Sequence, residues 1–535
     1  MAQVKFKDAK PMNKSIWDDV KTCIFAIFLF IRYYLDLLID KVFGFFYNNL
    51  KVPLTSPKNP IVNQSATTLA KKIRTKELKS EEVVQAFIDR IKEVNPILNA
   101  VVDNRFEEAL EEARHIDKQI ADASIKEADF DKKPFLGIPF TTKESSAVKG
   151  QAFTFGLIRR KGFKSEFDAD YVALMKNAGG ICLGVTNIPQ LNMWQESYNP
   201  VYGITRNPYD TTRNVGGSSG GESSLLAAAG TAISLGTDIG GSCRIPAFMC
   251  GVFGHKPTSH LIPTKGVTYR NGKEEETMVV VGVIARYAEE ITPILKVLVS
   301  DNAEKLQLDK PVNTKSLKVY YLADPKDPFV SPFREEMKST FAGAVNYFNG
   351  LCDRPPQEVA FDGLKYGSKL WKYWMTQETN ANFRRDVMNR EGEAQPLIEV
   401  FKFFTGRGDF TGSTILNFLN GMLPTAKDDW ARETTARLSK QILDTIGEDG
   451  VLLYPSAPWP ASYHHASILR PWNFNLFSIW NVLKFPVTQV PMGLRYGLPV
   501  GIQVVAAPNQ DRLCIAVSKE LEKAFGGFVP PYPLE

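Results

Sequence analysis

Residues 214–257 carry the pattern that most restricts what this chain can become. They read Asn-Val-Gly-Gly-Ser-Ser-Gly-Gly-Glu, then a small-residue run, then Gly-Thr-Asp-Ile-Gly-Gly-Ser-Cys-Arg-Ile-Pro-Ala and Gly-His-Lys-Pro. Two serines, Ser218 and Ser242, are each set among glycines. The glycines permit positive φ and close backbone approach, so Gly216–Gly221 reads as a loop. Ser223–Thr231 then reads as a helix, which puts the loop at a helix N-terminus. In Asp238-Ile-Gly-Gly-Ser242, consecutive amides stand beside a serine. Those of Ile239, Gly240, Gly241 and Ser242 are expected to converge on one oxygen as an oxyanion hole.

A serine hydroxyl needs a base before it attacks. None of the five histidines sits in a suitable motif. A lysine serves if burial keeps it neutral. Lys143 ends the strand-like run Gly137-Ile-Pro-Phe-Thr-Thr-Lys143, where such a lysine can be held, although a surface lysine is the default for one residue taken alone. A phosphate-cradling loop is the rival reading of the glycines. It lacks a following Gly-Lys-Ser/Thr and any G-x-G-x-x-G with an acidic partner. The string Gly216–Gly220 matches G-x-S-x-G around Ser218, yet no strand signal runs into it, which disfavours an ordinary α/β-hydrolase triad. The six cysteines are scattered and no Cys/His cluster has zinc spacing. Free thiols, no metal and no cofactor are expected.

The 535 residues, 44% hydrophobic and 23% charged, suffice for a large core. A net charge of +5 without a basic block argues against nucleic acid as a partner. Residues 67–120 read as helical, with Ser80-Glu-Glu-Val83 as a capped start. From residue 135, β-branched runs such as Ile181–Val185, Met278–Ile284 and Val319–Leu322 alternate with helical stretches, which predicts an α/β sheet covered by helices. Leu397–Pro424 holds five phenylalanines and few charges. It reads as a packed helical pair or as an apolar, membrane-docking cap.

The N-terminus divides into a polar tail (1–21), a hydrophobic helix (22–47) and a Pro-rich linker (48–64). Arg32, Asp36 and Asp40 fall at i, i+4 and i+8, on one stripe of that helix. A tilted membrane span with its ion pair facing a partner, an in-plane amphipathic anchor and a cleaved signal peptide compete. An anchor of either kind predicts a membrane location. Lysines flank both sides, so orientation is not encoded. Asn63-Gln-Ser65 is a glycosylation sequon that matters only if the body faces a lumen.

Taken as a set, these motifs resemble the amidase signature family. The likeness runs from about residue 65 to the C-terminus and includes Gly497-Leu-Pro-Val-Gly-Ile-Gln503. Met193-Trp-Gln-Glu-Ser197, Asn207-Pro-Tyr-Asp210 and the hydrophobic N-terminus are similar to the type-2 fatty-acid amide hydrolases within it. The resemblance implies one catalytic domain, 65–535, built on a large mixed β-sheet. It implies Ser242 as acyl-forming nucleophile, Ser218 as bridging serine with a cis peptide to Gly217, and Lys143 as base. Ser219 is then expected to hydrogen-bond the lysine, and Asp238 and Arg244 to be structural beside the hole. Met193 and Trp194 are candidates for an acyl-channel wall, with plain core packing as the other reading. The function implied is hydrolysis of lipid amides at a membrane, with a homodimer left open. A glutamyl-tRNA amidotransferase of the A type, an amidase of polar amides and an inactive membrane scaffold are the alternatives.

Overall fold

The computed structural model describes residues 16–273 and 277–533, with side chains from Ala26 onward. Most of the expected polar tail, residues 1–15, therefore lies outside the described residues. Thirteen strands are present among the described residues. They begin with β1 Val101–Asn104, β2 Pro139–Lys143, β3 Ile181–Thr186, β4 Tyr198–Asn199, β5 Gly203–Ile204, β6 Ile233–Asp238 and β7 Phe253–Lys256. The others are β8 Val280–Ala285, β9 Lys318–Tyr321, β10 Gln357–Glu358, β11 Gly450–Pro455, β12 Val487–Arg495 and β13 Leu498–Ala506.

Eleven of them form one sheet in the order β1-β3-β2-β6-β8-β7-β12-β13-β11-β9-β10, and β4 pairs with β5 apart from it. The sheet is mixed. β3, β2 and β6 run parallel, as do β11, β9 and β10, while β6–β8, β8–β7, β7–β12, β12–β13 and β13–β11 are antiparallel. Every residue of β3, β6, β8 and β11 is buried. Burial on both faces is why β3, β8 and β11 read as near-continuous apolar runs and not as alternating ones, whereas the buried β6 carries Ser234, Thr237 and Asp238. The expected sheet covered by helices is present, with β3, β8 and β9 close to where the sequence puts them.

Three local readings are corrected. The stretch read as helical over 67–120 is broken by β1, whose four residues offer too short a period-2 signal. Ser80 is the first helical residue and not the cap: Glu82 accepts the amide of Lys79 at 2.9 Å, while the buried Ser80 hydroxyl donates to Gly137 O at 3.0 Å. The helix expected at Ser223–Thr231 runs from Gly220 to Ala227.

The N-terminal helix spans Ile16–Tyr47 and so takes in part of the expected tail. Its polar stripe does not face lipid. Arg470 donates to Asp36 Oδ1 and Asp40 Oδ1, each at 2.8 Å, and Arg32 adds a 3.7 Å contact to Asp36. Tyr463 donates to Asn48 at the helix end at 2.6 Å. The helix therefore lies against the body, with Phe30, Ile31, Phe45 and Phe46 turned outward. No helix is long and apolar enough to cross a membrane among the described residues. Residues 48–64 also pack on the body: Leu54 and Val62 are buried, and Val52 N donates to Thr211 Oγ1 at 2.7 Å. The side chain of Asn63, the sequon residue, accepts from Tyr532 Oη at 2.8 Å.

Asp36 is 1% and Arg470 3% exposed. Breaking such a buried pair leaves an uncompensated charge and costs about 3–5 kcal/mol. Arg470→Ala is expected to lower the unfolding midpoint accordingly, and Arg470→Ala with Asp36→Asn to recover much of the loss. Equal stability of Arg470→Ala and the parent in a denaturant titration would mean that the helix is not held by this pair.

Candidate active site

The site forms where β2 and β6 end side by side. β2 delivers Lys143, β6 delivers Thr237 and Asp238, and two glycine-rich loops bring the serines. Lys143 is completely buried. Its Nζ donates to Ser218 Oγ and to Thr237 Oγ1, each at 2.8 Å. Burial disfavours the ammonium and pulls its pKa down from 10.5 to about 8, although Cys243, Asp238 and Glu222 oppose the shift. A substantial neutral fraction at mild pH follows.

The peptide Gly217–Ser218 is cis, as expected. Ser218 is 1% and Ser242 8% exposed. The backbone joins the two loops: Ser219 N donates to Ser242 O at 3.0 Å. Two glycines are obligatory for different reasons. Gly241 has φ +108°, a region closed to ordinary L-residues. A Cβ on Gly217 would collide with the carbonyl of Trp194.

Glu222, in the first turn of the helix after Ser218, accepts from Thr186 Oγ1 at 2.7 Å and Thr141 Oγ1 at 3.0 Å. It ties the serine loop to β2 and β3. Burial raises its pKa to about 7, so its negative charge is partly withdrawn. The sequence alone does not single out Glu222 or Thr237. Glu222 stands within the glycine-rich motif, but nothing local says which way its carboxyl points. Ser219 is a correction. Its hydroxyl has no hydrogen-bond partner and lies near Gly236 beside Cys243, and Thr237 takes the place by the lysine expected of it.

The expected oxyanion hole is also corrected. Gly241 N donates to Asp238 Oδ1 at 2.7 Å and is committed there. Three amides of the four remain, those of Ile239, Gly240 and Ser242. Trp371 Nε1 donates to Ile239 O at 2.8 Å and fixes this turn. Asp238 and Arg244 pair beside this turn. Arg244 grips the carboxylate through Nε at 3.0 Å and a terminal nitrogen at 3.1 Å, and Asn481 Nδ2 adds a bond at 2.9 Å. Burial alone would raise this carboxyl, but the Arg244 charge overrides it and holds the pKa at about 2. The signature's other lysine, Lys256, is buried as well, and its Nζ donates to Pro257 O at 3.0 Å, away from both serines.

Ser242 opens on a cavity of ≈ 790 Å³, within the range of small-molecule sites. Its walls include Met193, Trp194, Ile245, Trp371, Leu416 and Phe474. Met193 and Trp194, the candidates for an acyl-channel wall, thus reach the cavity. Trp194 Nε1 donates to Ser467 Oγ at 3.0 Å, which sets the ring. The 397–424 segment is a helical pair, Pro396–Phe404 and Gly412–Met422. Phe410 and Phe418 are packed inside, while the second helix walls the cavity and Leu419, Met422 and Leu423 stand exposed at its rim.

Residues 82–515 match the protein family described as Amidase. Fatty-acid amide hydrolase 2 of Homo sapiens is 40% identical over 483 residues, covering 88% of this chain and 91% of that protein. The A-type component of glutamyl-tRNA(Gln) amidotransferase from Exiguobacterium sibiricum is 28% identical over 86% of this chain and 97% of its own length. A solved structure of fatty acid amide hydrolase superposes with a TM-score of 0.70 at 22% identity, covering 90% of this chain and 88% of that one.

The Asp238 carboxyl has a folded pKa of about 2 against an ordinary value of 3.8. Its contribution to stability is whole above the ordinary value and is lost as pH falls towards the folded one. Arg244→Gln, which removes the charge that lowers it, is expected to move the acid-unfolding midpoint to higher pH. An unchanged midpoint by circular dichroism would show that the pair does not hold this turn.

Proposed function

The chain belongs to the amidase family and is a hydrolase of amide bonds; on that premise we propose that it cleaves fatty-acid amides through Ser242, Ser218 and Lys143. The observation that carries the substrate class is the cavity, which begins at Ser242, has predominantly apolar walls and ends in exposed Leu419, Met422, Leu423 and Trp472. A polar amide gains nothing from such walls, whereas an acyl chain gains about 0.8 kcal/mol per buried methylene.

The chemistry follows from the order of burial. Neutral Lys143 accepts the Ser218 proton while Ser218 accepts that of Ser242, and Ser242 Oγ attacks the amide carbon. The developing oxyanion is met by the amides of Ile239, Gly240 and Ser242, each such donor being worth about 3 kcal/mol. The relay then reverses and protonates the leaving nitrogen, because an amine anion leaves very poorly. Water enters, the same relay deprotonates it, and the acyl-serine is released as a fatty acid.

On this proposal the protein is membrane-associated by an in-plane anchor. The outward residues of the Ile16–Tyr47 helix and exposed Leu397, Phe401 and Phe404 of the cap are large apolar groups of the kind that enter the headgroup boundary. With Arg470 bound to Asp36 and Asp40, and Arg32 beside Asp36, no carboxylate of that stripe is left unpaired to oppose docking.

Hydrolysis of a graded panel of linear amides by the purified full-length protein tests the substrate class. Long-chain amides are expected to be preferred, and a preference for short polar amides would sink the lipid assignment while leaving the amidase. Lys143→Ala is expected to cut amide hydrolysis about 10²–10⁴-fold, and ester hydrolysis much less, since an alcohol leaves more easily. Equal losses would remove the relay. For the parent, kcat/KM on amides should rise with pH to a plateau above about 8, where Lys143 is neutral. Thr237→Val, which removes an acceptor favouring the charged amine, should shift that inflection to lower pH. An inflection that does not respond would assign the base elsewhere.

A further inference from the structure

Trp194 stands between the loop that carries Ser218 and the mouth of the cavity at Ser242. Its carbonyl lies against Gly217, and its indole nitrogen donates to Ser467 Oγ at 3.0 Å, next to Ile468 and Leu469 of the cavity wall. Leu469 and Trp472 are exposed, so this stretch forms the outer end of the wall. The backbone on either side of Trp194 is tied independently. Asn417 Nδ2 donates to Met193 O at 2.6 Å, and Asn214 Nδ2 donates to Gln195 O at 3.0 Å. What is left to fix is the half-buried indole, whose one polar group is its N–H.

Ser467 is buried and does not itself line the cavity. Its hydroxyl has one proton and donates it to Glu196 Oε2 at 3.2 Å, so that a lone pair faces the indole. Glu196 is buried too and also stands behind the wall. Its two oxygens accept from His465 N, each at 3.0 Å, and Oε1 lies 3.1 Å from His464 Nδ1. An ionised carboxylate accepts hydrogen bonds only, and this one sets which way the Ser467 proton points. The stretch around Ser467 is pinned as well, by Arg470 on Asp36 and Asp40 and by Tyr463 on Asn48. The serine is therefore a fixed acceptor that does not follow the ring if the ring turns.

We propose that Ser467 is a specificity-determining residue that acts through Trp194. Its hydroxyl, turned by Glu196, holds the indole N–H behind the wall, so that the ring offers an acyl chain carbon alone. The proposal rests on the lipid-amide reading of this cavity. Without the Ser467 hydroxyl, the indole N–H is a donor lacking its acceptor, at a cost of about 1–3 kcal/mol. The ring recovers that cost only by turning its polar edge towards water or a polar group in the cavity. Either outcome spoils the outer wall. A long chain runs along that part of the wall, whereas a short one ends nearer Ser242. Ser467 is thus a positioning residue, remote from the reacting atoms, that sets which chain lengths are gripped.

The test is steady-state hydrolysis of hexadecanamide and butanamide by the full-length protein, read as the ratio of their kcat/KM values. Ser467→Ala is expected to lower that ratio about fivefold, the value of one neutral hydrogen bond. The loss should lie in KM for hexadecanamide, with kcat little changed, because a wall contact serves ground state and transition state alike. A merely structural defect would lower both activities together and leave the ratio as it was. Trp194→Phe, which removes the N–H and part of the ring, should lower the ratio by itself. In that background Ser467→Ala should have no further effect on it, since the two side chains act as a unit. An unchanged ratio in Ser467→Ala, beside a parent that prefers hexadecanamide, would overturn this proposal and leave the lipid assignment standing. Equal effects of Ser467→Ala with and without Trp194→Phe would also overturn it, because the serine would then not act through the indole. A parent that prefers butanamide would sink the lipid assignment, and this proposal with it.

Discussion

An ionised lysine taken wholly out of water costs several kcal/mol, and the site is arranged around that cost at Lys143. The usual remedy is a contacting carboxylate, but that would hold the amine charged. Here the amine touches two hydroxyls, Ser218 and Thr237, which satisfy it without fixing its charge. The nearby acids are engaged elsewhere. Glu222 is bound by two threonines and partly protonated, and Asp238 is gripped by Arg244 and Asn481. The negative charge that would hold this amine protonated is thereby turned to positioning the two loops that carry the serines.

The oxyanion turn follows the same logic. Asp238 holds the turn by taking the Gly241 amide for itself, and the positive φ of Gly241 leaves its neighbours free to face the cavity. One donor is used to aim the others. Arg244 then neutralises the carboxylate, so that on the proposed mechanism it does not oppose an oxyanion forming beside it.

What can be read in the sequence follows a simple physical division. Ser218 and Ser242 are legible because glycines mark positions where backbone must bend or approach closely, and such constraints are local; Lys143, one lysine after one strand, stands out only together with the rest of the signature. The β-branched runs reveal β3, β8 and β9 for the same reason. Thr237, Glu222 and the idle hydroxyl of Ser219 are not legible, since each depends on which strand lies next to which. β2 lies beside β6, and β7 beside β12, with long excursions of chain between the members of each pair. The charged stripe of the N-terminal helix misleads for a related cause: its partner, Arg470, is 434 positions from Asp36.

Arg470 bears on how the protein can be handled at the bench. Removing a hydrophobic N-terminal segment is a common route to soluble material. Here that cut would strip both carboxylates from a guanidinium that is 3% exposed, in the very stretch whose Ile468, Leu469 and Trp472 border the cavity. A shortened chain would be a different molecule at its entrance, and soluble variants are better made by replacing the outward apolar residues of the helix with polar ones than by deleting it.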